Sequence, residues 1–461
     1  MSAMQTNSSL ALSFLTLAEN LQCLVNDVLF AKKLDEQDRL ASFREAFHIP
    51  TVEDSESQSK ERKSKIYLCS NSLGLEPKNT ESKLLSHLET WKNRAVEGHF
   101  SGTEPWASIE DVPIPYLSKL VGALPSEITC MNSLTVNLHL FLLAFYRPTS
   151  KKYKILIEAS AFPSDDYAIQ SQILLHGYSP EESIIRVAPK EDGFLFSEND
   201  ILEEIYNNVD SLCLVLLPGV HYLSGQVFPM EKIARTCQEL SIFVGFDLAH
   251  AVGNIPLHLH DWGVDFACWC SYKYLCGGPG GIAGAFLHQR HSKKNIKELP
   301  RLVGWWANRR ETRFQMKSDL DCSPGISGFQ VSNPSVFSIV PVIAALQVFD
   351  RTSMSQIREK SVHLTGYLAF LIERELLDDV EIITPREPSQ RGCQLSLRLK
   401  RHKLREIHEA LTGRGVVCDT REPDVLRVAP FPLYNTYIEV LEFVQILSSI
   451  LHSAEITVQE K

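Results

Sequence analysis

The chain has 461 residues, 44% of them hydrophobic and 22% charged, an ordinary globular composition with material for a large core. A net charge of -10, with the Arg content spread along the chain so that no basic face stands out, argues against nucleic acid as a partner, because phosphate contacts need clustered Lys and Arg. Eleven irregularly spaced Cys, no secretory-type leader and no apolar run of membrane-spanning length give the expectation of a reducing, cytoplasmic setting without disulfides or a membrane anchor.

From the N-terminus, an amphipathic helical opening continues through Asp35–Phe47 and gives way to Glu53–Lys65, a nearly all-polar stretch expected to be an exposed loop. Leu134–Tyr146 carries a helical pattern, and beyond it apolar runs alternate with helical stretches, as in βαβ units. The runs are Lys154–Ile157, Leu212–Leu217, Ile242–Phe246, Val264–Trp269 and Ile282–Leu287. Helical stretches between the earlier ones are Asp165–Leu175, Ile201–Tyr206 and Met230–Leu240. Continuous apolar runs suit strands buried on both faces of a parallel sheet. After Asn333 long helical stretches (Val336–Phe349, Gln356–Leu377, Tyr437–Leu451) enclose short strands at Gln394–Leu399, Val416–Cys418 and Val425–Val428. The expected class is therefore α/β in two domains. A helical segment and polar loop over 1–70 belong to the small domain, a large mostly parallel α/β domain covers 71–332, and a smaller α+β domain covers 333–461. The segment around Arg309–Ser332 would join them.

In open α/β sheets ligands bind beyond the carboxyl ends of the strands. Two such ends carry unusual chemistry. The run Ile242–Phe246 ends in Asp247, and the run Val264–Trp269 leads through Cys270, Ser271 and Tyr272 to Lys273, with Gly277, Gly278, Gly280 and Gly281 following. A charge directly after a buried strand is costly unless it is paired or used. Pyridoxal phosphate needs an amine for imine exchange, a carboxylate to keep its pyridine nitrogen protonated, and donors for its phosphate. Lys273 as Schiff-base lysine and Asp247 as partner of the ring nitrogen supply the first two. The glycines let backbone approach closely. Cys268 and Cys270, on one face of a buried strand with no second Cys/His pair nearby, read as packing, so no metal is expected.

These segments, Val244–Asn254, His260–Ala267 and Cys270–Leu275, closely resemble kynureninase, a family of fold-type I pyridoxal-phosphate enzymes. The resemblance extends through Asn71–Leu75, Leu134–His139, Phe162–Asp165, Leu302–Trp305, Val331–Pro334 and Arg427–Pro430, and covers most of the chain. It implies a large domain with a mostly parallel sheet of the seven-stranded type, flanked by helices. It also implies hydrolytic Cβ–Cγ cleavage of L-kynurenine, preferentially 3-hydroxy-L-kynurenine, to an anthranilate and alanine, in tryptophan catabolism and NAD synthesis. Residue by residue, Phe162 would stack on the cofactor ring, within the matched run Phe162, Pro163, Ser164 and Asp165. Asp165 and Asp247 would lie at the ring nitrogen, with His250 bracing the ring. Leu134 and Thr135 would grip the phosphate at a helix N-terminus. Tyr272 would bond the phosphate and donate a proton during cleavage. Trp305 and Asn333 would cross the interface of a homodimer. Arg427 would fork the substrate α-carboxylate, while Ser72, His99 and Asn333 would bind its aromatic end.

Two positions depart from the family. Pro218 stands where a hydroxyl is common, which puts one cofactor contact in doubt, and Cys276 stands where Asn is often found. Two alternatives follow from the residues. A cysteine desulfurase would use a loop cysteine such as Cys322 and would release sulfide. A scaffold descendant without activity would bind no cofactor.

Overall fold

The structure, a computed structural model, describes residues 3–53, 62–189 and 193–459. The chain divides into two compact units. One comprises residues 1–78, 221–227 and 351–461, the other residues 79–220 and 228–350. The divisions fall after Lys78 and Asp350, where the sequence suggested 70 and 332, and the short insert His221–Val227 was not foreseen.

The larger unit is built on a seven-stranded sheet. Its strands are β1 (Ile128–Cys130), β2 (Lys154–Glu158), β3 (Ile184–Val187), β4 (Leu212–Pro218), β5 (Phe243–Asp247), β6 (Phe266–Trp269) and β7 (Gly284–Leu287), in the order β1-β7-β6-β5-β4-β2-β3. Pairing is parallel from β3 to β6, whereas β7 runs antiparallel to both its neighbours. The apolar runs of the sequence become the inner strands, because both sheet faces are covered. Its helices include α1 (Leu134–Phe145), α2 (Pro163–Leu175), α3 (Glu198–Asn207), α4 (Met230–Glu239) and α5 (Val336–Phe349). The segment expected to act as a linker packs into it: Phe329 is fully buried with its ring 5.4 Å from that of Phe141.

Gly245 on β5 sits opposite Phe266 on β6, and a Cβ there would lie 2.2 Å from the Phe266 ring. Its absence lets that ring stack on Phe141 and Phe145, with centroids 5.0 and 4.9 Å away.

The smaller unit holds an antiparallel sheet of β8 (Val380–Ile382), β9 (Leu395–Leu399), β10 (Asp419–Arg421) and β11 (Val425–Val428), ordered β8-β9-β11-β10. Helices Ala3–Leu21, Val28–Gln37, Met354–Glu375, Leu404–Gly413 and Tyr437–Gln459 belong to the same unit. The helix expected to run on through Asp35–Phe47 stops at Gln37, because the Asp38 carboxylate turns back to accept from the Leu40 amide; a 3-10 turn, Ala41–Ala46, follows. Within Glu53–Lys65, residues Arg62–Ser64 are exposed and pair antiparallel with Thr51–Glu53 rather than forming a loop, and positions 54–61 lie outside the described residues. No single helix among the described residues is long and apolar enough to cross a membrane.

Candidate active site

Asp247 closes β5, between Pro218 at the end of β4 and Cys268 on β6. Its carboxylate accepts from the Ala249 amide at 2.7 Å and its carbonyl from the Gly219 amide at 2.7 Å, so backbone fixes it from both sides. Asp165 stands on the first turn of α2, which starts at Pro163 behind Phe162; proline suits that position, where no amide hydrogen is needed. Lys273 follows β6, with its Nζ 5.8 Å from the centre of the Phe162 ring and 6.0 Å from that of Tyr272.

Burial, and then the charge of Asp247 beside it, pushes the Asp165 carboxyl well above the usual range; Lys273 pulls the other way. Asp165 Oδ1 is buried without a hydrogen-bond partner among the described residues. A third carboxyl, not singled out by its place in the sequence, is Glu158 at the end of β2, raised to about 8 by burial and by Asp247. A cationic N–H is the group that such an acid cluster lacks, and a protonated pyridine nitrogen provides one. Burial, reinforced by Cys270, raises the Tyr272 phenol and keeps it protonated. Cys268 and Cys270 are buried thiols pushed upward by burial, in keeping with packing.

Thr135, on the first turn of α1, meets Ser164, on the first turn of α2, hydroxyl to hydroxyl at 2.9 Å. Two helix N-termini with paired hydroxyls make an anion cradle, and Leu134 opens α1. His250 is buried, with its ring 6.2 Å from Tyr274 and its carbonyl accepting from Asn254. The amine, the acid pair, the aromatic wall and the cradle therefore suit pyridoxal phosphate. Pro218 takes the last place of β4 and interrupts no inner pairing. Cys276 has φ +57, a left-handed conformation that Asn adopts more readily.

In the smaller unit, Ser72 and Arg427 come together around Asp419, a residue that sequence reasoning missed. The Arg427 guanidinium bonds Asp419 through both Nε and Nη2, with Nε 2.6 Å from Oδ1. Nη1 donates to the Tyr222 carbonyl at 2.7 Å, and Nη2 lies 3.4 Å from the Ser72 hydroxyl, which itself donates to Asp419. Against burial, which pushes it up, Arg427 holds the Asp419 carboxyl below its usual value. The Nε–Nη2 edge of the expected carboxylate fork is thus held by an internal acid, which fixes the guanidinium in place. Its only sequence signal is a carboxylate directly after the short run Val416–Cys418.

His99, Trp305 and Asn333 are exposed, unlike the buried Asp247 and His250. His99 packs edge-on to Trp106 at 5.4 Å. Rings continue from His99 to Phe100, Phe314 and Trp305 with centroid distances of 6.0, 5.3 and 5.4 Å. Cys322 is half-buried, with its thiol directed at the Gly328 carbonyl at 3.8 Å.

The architecture matches solved pyridoxal-phosphate enzymes of fold type I. The cysteine desulfurase CsdA from Escherichia coli superposes with a TM-score of 0.71 at 14% identity, covering 90% of this chain and 98% of that one. A C-DES variant with glycine linked to its PLP cofactor gives 0.70 at 17%, covering 83% and 96%. At those identities the likeness concerns the fold alone. The sequence relatives are narrower. Kynureninase from Homo sapiens is 46% identical over 95% of this chain and 96% of its own, and that from Myxococcus xanthus is 45% identical over 91% and 96%. The model of the kynureninase C-terminal domain matches residues 357–447. The chain belongs to the kynureninase family.

Proposed function

We propose that this chain hydrolyses the Cβ–Cγ bond of kynurenine with pyridoxal phosphate as cofactor. The observation that carries the reading is the Lys273 amine beside the Asp165–Asp247 pair in a chain nearly half identical to named kynureninases. Bound there, the cofactor would supply an electron sink for charge developing at the substrate Cα. Lys273 and Asp247 would hold it, with Phe162 against its ring and Thr135 and Ser164 at its phosphate.

Lys273, as a free amine, would remove the Cα proton. Tyr272, a phenol kept protonated by burial, is suited to give a proton as the carbon–carbon bond breaks after water adds to the γ-ketone. Arg427, pre-oriented by Asp419, would take the α-carboxylate. Lys273→Ala should bring anthranilate production to background; turnover at the wild-type level would sink the assignment.

Three further points belong to the proposal. His99 and Trp305 are exposed on a surface where Phe100, Trp305 and Phe314 are 62%, 48% and 48% exposed, and Asn333 is exposed as well; such a patch is what a second copy of the chain would cover, so that these residues complete the partner's site. His99 and Asn333 can bond a ring hydroxyl, which favours 3-hydroxykynurenine and a place in tryptophan breakdown leading to NAD. A side-by-side comparison of kcat/KM should favour the hydroxylated substrate, and His99→Ala should erase the preference; equal values in the wild type would refute it. None of the eleven cysteines is joined in a disulfide, which suits a reducing cytoplasm.

A further inference from the structure

Within the smaller unit, the helices Ala3–Leu21 and Met354–Glu375 border a cavity of about 50 Å³ lined by Leu10, Ala11, Ala369, Phe370, Glu373 and Arg391 among others. Arg391 is 2% exposed. Its Nη1 donates to the carbonyls of Pro385 at 3.0 Å and Arg386 at 2.6 Å. Nε and Nη2 are buried and meet no hydrogen-bond partner among the described residues. These two N–H groups form the edge of a guanidinium that takes a carboxylate through two parallel hydrogen bonds. A buried cation with that edge open is costly.

The neighbours do not close it. Burial, and then the positive charge of Arg358, hold the Arg391 guanidinium down to about 10. Glu373 and Glu387 offset this through space, but neither bonds the open edge, and Glu373 faces Arg386 at 3.3 Å. A single water needs roughly 10–15 Å³, so the cavity has room for more than one water and for a small ion. Leu10, Ala11, Ala369 and Phe370 present hydrocarbon to it. Phosphate, with four polar oxygens, would leave some of them against that wall, whereas a short carboxylate places two oxygens on the fork and a methyl on the wall.

We propose that Arg391 and this cavity form a binding site for a small aliphatic carboxylate, which holds the helix Ala3–Leu21 to the helix Met354–Glu375. The ligand completes the ion pair that the chain itself leaves open. None of these residues belongs to the catalytic site, so the carboxylate site stands or falls apart from the reaction.

The test is thermal denaturation of the purified full-length chain in rising sodium acetate, with ionic strength held constant by chloride, and a parallel series in phosphate. Acetate should raise the Tm saturably, by about 2–3 °C at a hundredfold excess over Kd. The rise should vanish in Arg391→Met. It should also vanish in Ala369→Leu, which fills the cavity and keeps the guanidinium, so a folding defect in the first variant does not decide the outcome. No acetate-specific rise in the wild type would overturn the site, leaving a hydrated arginine. A rise that persists in Ala369→Leu would place the acetate elsewhere, Arg427 included, and overturn it too. A rise with phosphate and none with acetate would overturn the carboxylate assignment.

Discussion

Glu158 closes β2 as Asp247 closes β5, and burial raises it to about 8. A carboxyl whose folded value lies above its unfolded value stabilises the protein fully below the unfolded value of about 4.3. That contribution declines as pH rises and is gone above about 8. Across this window the loss is on the order of 4–5 kcal/mol. Glu158→Gln, which keeps the neutral shape, should therefore flatten the fall in stability between pH 5 and 8, as read by denaturant unfolding. An unchanged profile would show that Glu158 is ionised in the folded protein. Burial also decides which of these residues are legible in the sequence. Asp247 and Lys273 stand out because a charge that follows a long apolar run must be paired or used. Glu158 bears the same mark, yet a carboxylate at that place equally suits the solvated end of a strand. Asp419 follows the short strand expected at Val416–Cys418, where a carboxylate equally suits a solvated strand end, and its importance comes only from the Arg427 guanidinium folded against it.

Among the elements, the inner strands are visible as apolar runs, whereas β1, β3, β8 and β10 are not. β1 and β8 have three residues each, β3 is half-exposed, and β10 reads Asp-Thr-Arg, so neither alternation nor a continuous apolar run marks them. Their pairing is set by neighbours far along the chain. The closeness of β5 to β6 is equally hidden, because Gly245 looks like any glycine until Phe266 is placed opposite it. Gly245→Ala puts a methyl where the ring already stands, and Phe141 and Phe145 leave that ring nowhere to go. The expected cost is about 1–3 kcal/mol. Because β5 ends at Asp247, the same change should lower turnover in protein that remains folded. Wild-type stability in this variant would mean that the two strands separate more easily than their register implies.

At the scale of the whole molecule, fold and sequence answer different questions. Solved cysteine desulfurases and the lyase C-DES share the architecture at 14–17% identity, and kynureninases share the sequence at 44–46%, so the sheet places Lys273 and the residues around it narrow the chemistry. The family resemblance implies site roles for Trp305, His99 and Asn333, yet one chain leaves all three exposed. If a second copy supplies them, inactive subunits should rescue each other. In a mixture of Lys273→Ala with a Trp305→Ala/Asn333→Ala double variant, random reassortment makes half the dimers mixed. Each mixed dimer has one site with an intact Lys273 facing an intact Trp305 and Asn333, and one site lacking both. Activity should rise from near zero for either variant alone to about a quarter of the wild type. If all three groups act within one chain, no mixture recovers activity, because every subunit carries a lesion of its own.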